Sequence, residues 1–204
     1  MNADLRKYLV WMDGDGGQGQ GLDGIMKDFR GSHLIESDQS YMFFTSADMS
    51  DCVFDRSDFA KSDLSGTDIS NSSFVGATFR KTDFGGCVAS DTDFADARFV
   101  GARFHRSELR GSRFFRAFLN GSWMYESDLR EADLSEVWFG PEGVGGPTRF
   151  VSARLRGCAV AGAGGWVSGT IDVGTPESPH ILSSAELAVW FADNGAPNVR
   201  VADS

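Results

Sequence analysis

The side chains of this 204-residue chain that are equipped for chemistry are three histidines, three cysteines and 29 carboxylates set against 19 lysines and arginines. His33, His105 and His180 lie far apart and form no local ligand motif. Cys52, Cys87 and Cys158 have neither CxxC nor Cys/His spacing, so zinc or dithiol chemistry is not indicated. The run DGDGGQGQGLDG at 13–24 has the carboxylates and glycines of a calcium loop. Its twelfth place, where an EF-hand needs a bidentate Glu, is Gly24, and the phase of calcium-binding β-rolls is absent. GxSxG, P-loop, HExxH and paired-carboxylate patterns are missing too. These residues therefore predict a chain that needs no cofactor or metal and is not an enzyme. What is left to act with is charge, a formal net −10.

The elements that must display this charge are set by a period. From 27 to 146 the chain reads in fives: KDFRG SHLIE SDQSY MFFTS ADMSD CVFDR SDFAK SDLSG TDISN and onward. The centre of each five is large and apolar, as at Phe54, Phe74, Phe94 and Leu134, and the residue two before it is small. Cys52 and Cys87 fall on that small place, and Cys158 takes the same place in the later phrase CAVAG, so they read as core residues in series with Ala, Ser and Thr. A period this short marks a solenoid.

The runs SDFAKSDLSGTDIS, TDFADARFVGARF and SDLREADLSE resemble the pentapeptide-repeat family. The resemblance implies an all-β fold, a right-handed quadrilateral β-helix in which each five makes one side and four fives make one coil. Centre and small residues then point inward, and residue n lies beneath n+20. Centre columns such as Phe54/Phe74/Phe94/Phe114/Leu134 and Phe59/Phe79/Phe99/Leu119/Phe139 become stacked ladders in a rod of roughly seven coils, with Gln39 a polar weak point.

Function is then expected on the outward letters. Asp48, Asp58, Asp63, Asp68, Asp83 and Asp93 all stand just before a centre residue and form the candidate acidic face. Residues 97–116 add a basic belt, with Arg98, Arg103 and Arg106 as candidate partner contacts. The n+20 rule also offers a structural reading: Arg103 above Asp83, Arg106 beside Glu126, Arg113 between Asp93 and Asp133, Arg116 between Asp96 and Glu136. Phe118, Trp123 and Trp138 form a late outward aromatic patch, to be covered either by the chain's own tail or by a partner.

Beyond Pro141 the register is expected to loosen, with one residue inserted at Pro147 and the coils ending near 173. The organisation is an N-terminal cap with a Gly-rich loop over 1–26, a β-helix over 27–173, and a loop, helix and tail over 174–204. Ser183-Ser184-Ala185-Glu186 has a capping-box pattern, and Asn194-Gly195 before Pro197 a stop pattern, predicting a helix from Ser184 to Asp193. Being short, it must dock on the last coil or a second subunit, with Leu187, Trp190 and Phe191 as the candidate dimer interface.

The stretch ILSSAELAVWFADNGAPNVRV resembles the closing segment of the topoisomerase-protecting branch of the family, the quinolone- and albicidin-resistance pentapeptide proteins. That resemblance implies a cytoplasmic homodimer joined through its C-terminal ends, a DNA mimic that binds DNA gyrase and protects it against an antibiotic. Neither direct nucleic-acid binding nor membrane association is expected. A protein-protein scaffold using the aromatic patch and Arg belt is the alternative, and a biosynthetic enzyme working at His105 or the Gly-rich run a third.

Overall fold

The computed structural model describes residues 24–141 and 145–202. The cap and Gly-rich loop expected over 1–26 lie outside the described residues, apart from 24–26.

From residue 24 to Phe139 one local conformation recurs every five residues. The corner residue of each five, from Gly31 to Glu136, has φ between 51° and 70°. This is the third place of a turn closed in most repeats by a bond such as Ser32 N–H to the Phe29 carbonyl, 3.1 Å. Non-glycine residues rarely hold this conformation. Here each corner is fixed from both sides, because its own N–H also donates to the next coil, as Arg56 does to the Val75 carbonyl at 2.9 Å.

Successive coils pair in parallel at an offset of twenty, from Asp28↔Asp48 through to Phe118↔Trp138. With a turn every five residues, each coil carries four bridge rows. In chain order these contain Asp28/Asp48/Asp68, His33/Val53/Ser73, Asp38/Asp58/Thr78 and Phe43/Asp63/Asp83.

The centre residues fill the interior. Phe74, Phe79, Phe84, Phe94, Phe99, Phe104 and Phe114 are all fully buried. They stack along columns (Phe79 to Phe99 4.9 Å, Phe84 to Phe104 4.6 Å) and meet edge to face across them (Phe79 to Phe94 5.9 Å). Inward hydroxyls reach the carbonyl of the centre residue 23 positions earlier, as Thr67 does to Phe44 (2.7 Å) and Ser107 to Phe84 (2.7 Å). Cys52 makes the same bond through its thiol, to the Phe29 carbonyl at 3.1 Å. Gln39 is fully buried and donates to the Ser37 hydroxyl at 2.9 Å.

The unbroken register expected to 146 ends at Phe139. The next pairs, Trp123↔Arg149, Asp128↔Arg154, Asp133↔Ala159 and Trp138↔Gly164, are offset by 26 residues. Six residues therefore leave the wall between Phe139 and Thr148, where a single insertion was expected. Pro141 and Pro147 have no N–H to give a ladder. Thr148 closes the gap: it is buried, its N–H donates to the Phe139 carbonyl (3.0 Å), and its hydroxyl donates to the carbonyls of Leu119 and Phe139.

Past this point the wall becomes true strand. Strands β1 (Trp123–Tyr125), β2 (Thr148–Arg154) and β3 (Gly164–Asp172) pair in parallel. Strand β4 (Ile181–Ser183) returns antiparallel to β3, helix α1 (Ser184–Asp193) follows, and β5 (Asn198–Val201) adds parallel to β3. At Gly169, φ is 96° and a Cβ would stand 1.8 Å from the Phe150 carbonyl oxygen, so no other residue fits there.

Helix α1 has the boundaries the sequence predicts, but Ser183 makes no side-chain capping bond. Its apolar face closes the end of the coil: Leu187 and Phe191 are fully buried, with the Phe191 ring 5.7 Å from Phe139. The expected dimer interface is corrected accordingly, since these two side chains pack inside their own chain. Val189, 58% exposed, and the partly buried Trp190 are what α1 offers outward.

Candidate functional site

An aspartate just before a centre residue has a local task. The N–H two residues further on takes no part in the backbone ladder, and the Asp Oδ1 accepts it: Ser50 to Asp48 (3.1 Å), Ala60 to Asp58 (2.8 Å), Ser65 to Asp63 (2.8 Å), Ser70 to Asp68 (2.9 Å), Gly85 to Asp83 (2.9 Å) and Ala95 to Asp93 (2.9 Å). All six candidate aspartates thus satisfy a backbone donor with one oxygen and turn the remaining charge outward.

They do not share a face. Asp48 and Asp68 stand in the first bridge row, Asp93 in the second, Asp58 in the third, and Asp63 and Asp83 in the fourth. The single acidic face expected of the six is corrected by this division, which follows from the offset of twenty. A different set converges instead. The first row runs Asp28, Asp48, Asp68, Val88, Glu108, Asp128. The corner column that follows it in sequence carries Asp51, Asp91 and Glu131. These eight carboxylates face four cations, Arg30, Arg110, Arg130 and Arg154. Five rungs at the strand spacing give them a length of about 24 Å. The second side continues the excess, with Glu36, Asp55, Asp93, Asp96, Asp133 and Glu136 against Arg56, Arg113 and Arg116. Counting rows of twenty in the sequence is the signal that finds Asp51, Asp91, Glu108 and Glu131.

Several of these carboxyls are held ionised. Hydrogen bonds from Arg30 hold Asp28 below the usual carboxylate range. At Asp128 burial pushes upward, but the guanidinium of Arg130, 2.8 Å from Oδ1, prevails with help from Arg154, and the net shift is downward. Arg106 lowers Glu126 in the same way.

The basic belt is largely neutralised, as the offset of twenty predicts. Arg106 meets Glu126 at 2.7 Å, Arg113 meets Asp93 at 3.1 Å, Arg116 meets Asp96 at 2.8 Å, and Arg110 meets Glu131 at 2.8 Å. Arg103 reaches Asp83 only at 3.9 Å, and Arg98 lies over the Phe118 ring at 5.2 Å. Each exposed pair is worth about 0 to 1 kcal/mol.

The aromatic patch divides between two neighbouring sides. Phe118 and Trp138 are bridged in the third row, and Trp123 lies in the fourth with Arg149 over its ring at 4.6 Å. The chain's tail does not cover them. Strand β5 adds the next rung beyond Gly164, leaving Phe118, Trp123 and Trp138 38%, 45% and 44% exposed.

The thiols are placed as core residues. Burial pushes Cys87 and Cys158 up to about 12 and Cys52 up to about 11, far from a reactive thiolate. His105 stacks flat on Tyr125 at 4.6 Å. Among the described residues no three His, Cys, Asp or Glu side chains form a ligand set for a metal, and no helix is long and apolar enough to cross a membrane.

Residues 42–114 match the family described as a pentapeptide repeat region. Among solved structures, the chain is similar to full-length QnrB1, a plasmid-mediated fluoroquinolone resistance protein, at 20% identity over 68% of this chain and 78% of that one, with a TM-score of 0.35. It is also similar to Rfr23, a pentapeptide repeat protein from the cyanobacterium Cyanothece 51142, at 11% identity over 78% and 97% of the two chains, TM-score 0.40. A pentapeptide repeat protein of the Arabidopsis thaliana thylakoid lumen matches at 17% identity over 88% and 84%, TM-score 0.20. No curated protein matches the sequence.

Proposed function

We propose that this chain, whose residues 42–114 match the pentapeptide repeat region, is a non-enzymatic binding protein whose acidic first and second sides enter a cationic groove that otherwise holds duplex DNA. The groove we assign is that of DNA gyrase or a related topoisomerase, in the cytoplasm, and the consequence is protection of that enzyme against an antibiotic. This extends to the present chain the resistance activity carried in the name of QnrB1. We take the coil as the right-handed quadrilateral that the repeat implies.

The observation that supports this most is the lengthwise run of carboxylates from Asp28 to Glu131. Eight carboxylates less the four arginines beside them leave four charges in about 24 Å, roughly one per 6 Å, against one per about 1.7 Å on duplex DNA. The rod presents a similar sign and line of charge at lower density, so it competes with DNA for a groove without needing DNA's affinity for it.

In a supercoiling assay inhibited by a fluoroquinolone, the added protein restores supercoiled product, and its complex with gyrase weakens as salt rises. Unchanged inhibition together with no salt-sensitive complex refutes the proposal. The proposed C-terminal homodimer, in which Val189 and Trp190 would meet a second copy, is tested by sedimentation of the parent and of Val189→Asp. A parent that sediments as a monomer removes the dimer.

A scaffold role is the second reading, favoured by the exposure of Phe118, Trp123 and Trp138. It expects Trp138→Ala to abolish capture of a partner protein while leaving the rod folded.

A further inference from the structure

The fourth side carries a groove of about 570 Å³ at the level of the arginine belt, lined by Lys81, Gly101, Arg103, His105, Trp123 and Tyr125. Its size falls within the range of small-molecule sites, about 300 to 1,000 Å³. The repeat explains why it exists. The corner column on this side runs Tyr41, Lys61, Lys81 and then Gly101 and Gly121, so the side chains that form a ridge stop where the groove begins. A Cβ placed at Gly101 would have only Lys81 Cγ near it, at 3.8 Å.

Two kinds of recognition meet in that space. One is aromatic: His105 and Tyr125 form a wall with rings stacked at 4.6 Å and 6°. Trp123 is 45% exposed, and Arg149, which stacks on it, comes from the next rung and does not line the groove. The other is cationic. Among the described residues Lys81 has no carboxylate at ion-pair distance. The Arg103 side chain is 71% exposed and reaches only Asp83, at 3.9 Å, a carboxylate whose Oδ1 already holds the Gly85 N–H. Arg106, Arg110, Arg113 and Arg116, in the same belt, all lie within 3.1 Å of a carboxylate. One unpaired cation and one held only at 3.9 Å, beside an exposed indole on a chain of net charge −10, suit one class of ligand.

We infer that this groove binds a planar aromatic molecule bearing an anionic group, with the ring stacked on Trp123 and the anion on Lys81 and Arg103. Stacking supplies sequence-independent affinity for any flat π-system. The paired cations hold a phosphate or carboxylate with charge-assisted bonds. This site is on the fourth side, one corner round the coil from the acidic first side, and does not depend on the gyrase reading.

Isothermal titration of the full chain tests it with AMP and naphthoate as the two anionic probes, and adenosine and inorganic phosphate as half-ligands. The expected result is saturable binding of at least one anionic probe, with each half-ligand about tenfold weaker or more. AMP alone identifies a nucleotide-type phosphate, naphthoate alone an aryl carboxylate, and both together the shared chemistry. Trp123→Ala lowers the affinity between about fivefold and a hundredfold, the range carried by one stacked ring. Trp123→Phe keeps the ring and most of the binding, and R103Q loses the preference over adenosine. No binding by either probe, phosphate binding as tightly as AMP, or a folded Trp123→Ala that binds like the parent would each overturn the assignment.

Discussion

Two sets of four substitutions, equal in charge and different only in placement, separate the structural from the functional role of the aspartates. The first set is Asp48→Asn, Asp51→Asn, Asp68→Asn and Asp91→Asn on the first side. The second is Asp38→Asn, Asp58→Asn, Asp63→Asn and Asp83→Asn on the third and fourth. Asn keeps an Oδ1 to accept the N–H that each row aspartate holds, such as Ser70 N–H at 2.9 Å on Asp68. At the corner places of Asp51 and Asp91, φ is 57° and 55°, a conformation Asn adopts readily. Both variants therefore stay within about 1 kcal/mol of the parent in denaturant unfolding. Binding should divide them. With about 0.2 to 1 kcal/mol for each exposed charge pair, four losses on the docking side cost about 1 to 4 kcal/mol, or about fivefold to several hundredfold in Kd. The second set stands on the two sides outside the gyrase groove, where solvent screens charge over a Debye length of about 8 Å at physiological salt, and changes Kd by no more than about threefold. The assay is equilibrium binding to gyrase at about 0.05 M and about 0.2 M salt, where the first set also flattens the salt dependence. Equal weakening by the two sets, or none by the first, refutes the reasoning that the first side belongs to the binding surface.

Three further outcomes check the fold behind this. Phe79→Ala removes a fully buried ring stacked on Phe59 (5.3 Å) and Phe99 (4.9 Å), and denaturant unfolding should show a loss of about 3 to 5 kcal/mol. With thiols held at about 11 to 12 by burial, a colourimetric disulfide reagent near pH 8 should find no reactive cysteine in the native chain and three after unfolding. The Asp128 carboxyl lies below its ordinary value of about 3.9, so its ion pairs contribute stability above about pH 4 that is lost as the pH falls through the native value. Asp128→Asn should therefore flatten the acid limb of a stability-versus-pH curve, and an unchanged limb contradicts this.

Much of this molecule could be read one letter at a time. Five-residue spacing placed Phe54, Phe79 and Phe104 in the core and put Cys52, Cys87 and Cys158 beside them, because a side chain's direction in such a wall depends only on its place in the five. The offset of twenty also anticipated the partners of Arg103, Arg106, Arg113 and Arg116. The six-residue excursion after Phe139 was less legible, since EGVGG at 142–146 has the length of a repeat and only Pro141 and Pro147 mark the loss of ladder donors. Helix α1 was located from its pattern, but not the fate of Leu187 and Phe191: amphipathic spacing says that one face must be covered and is silent on by what.

The sequence by itself thus determined the solenoid, its inward residues and its charge ladders, because these follow from local period and nearest-rung contact. Only the tertiary structure decided which charges stand together. Six aspartates equivalent in the repeat were dealt to four rows, while Asp51, Asp91, Glu108 and Glu131 gathered on one side, because twenty residues of separation become one strand spacing only when the coil closes. The same closure set Gly101 beside Arg103 and Trp123 and opened a groove there, an arrangement that lies across rungs and leaves no mark within any single five.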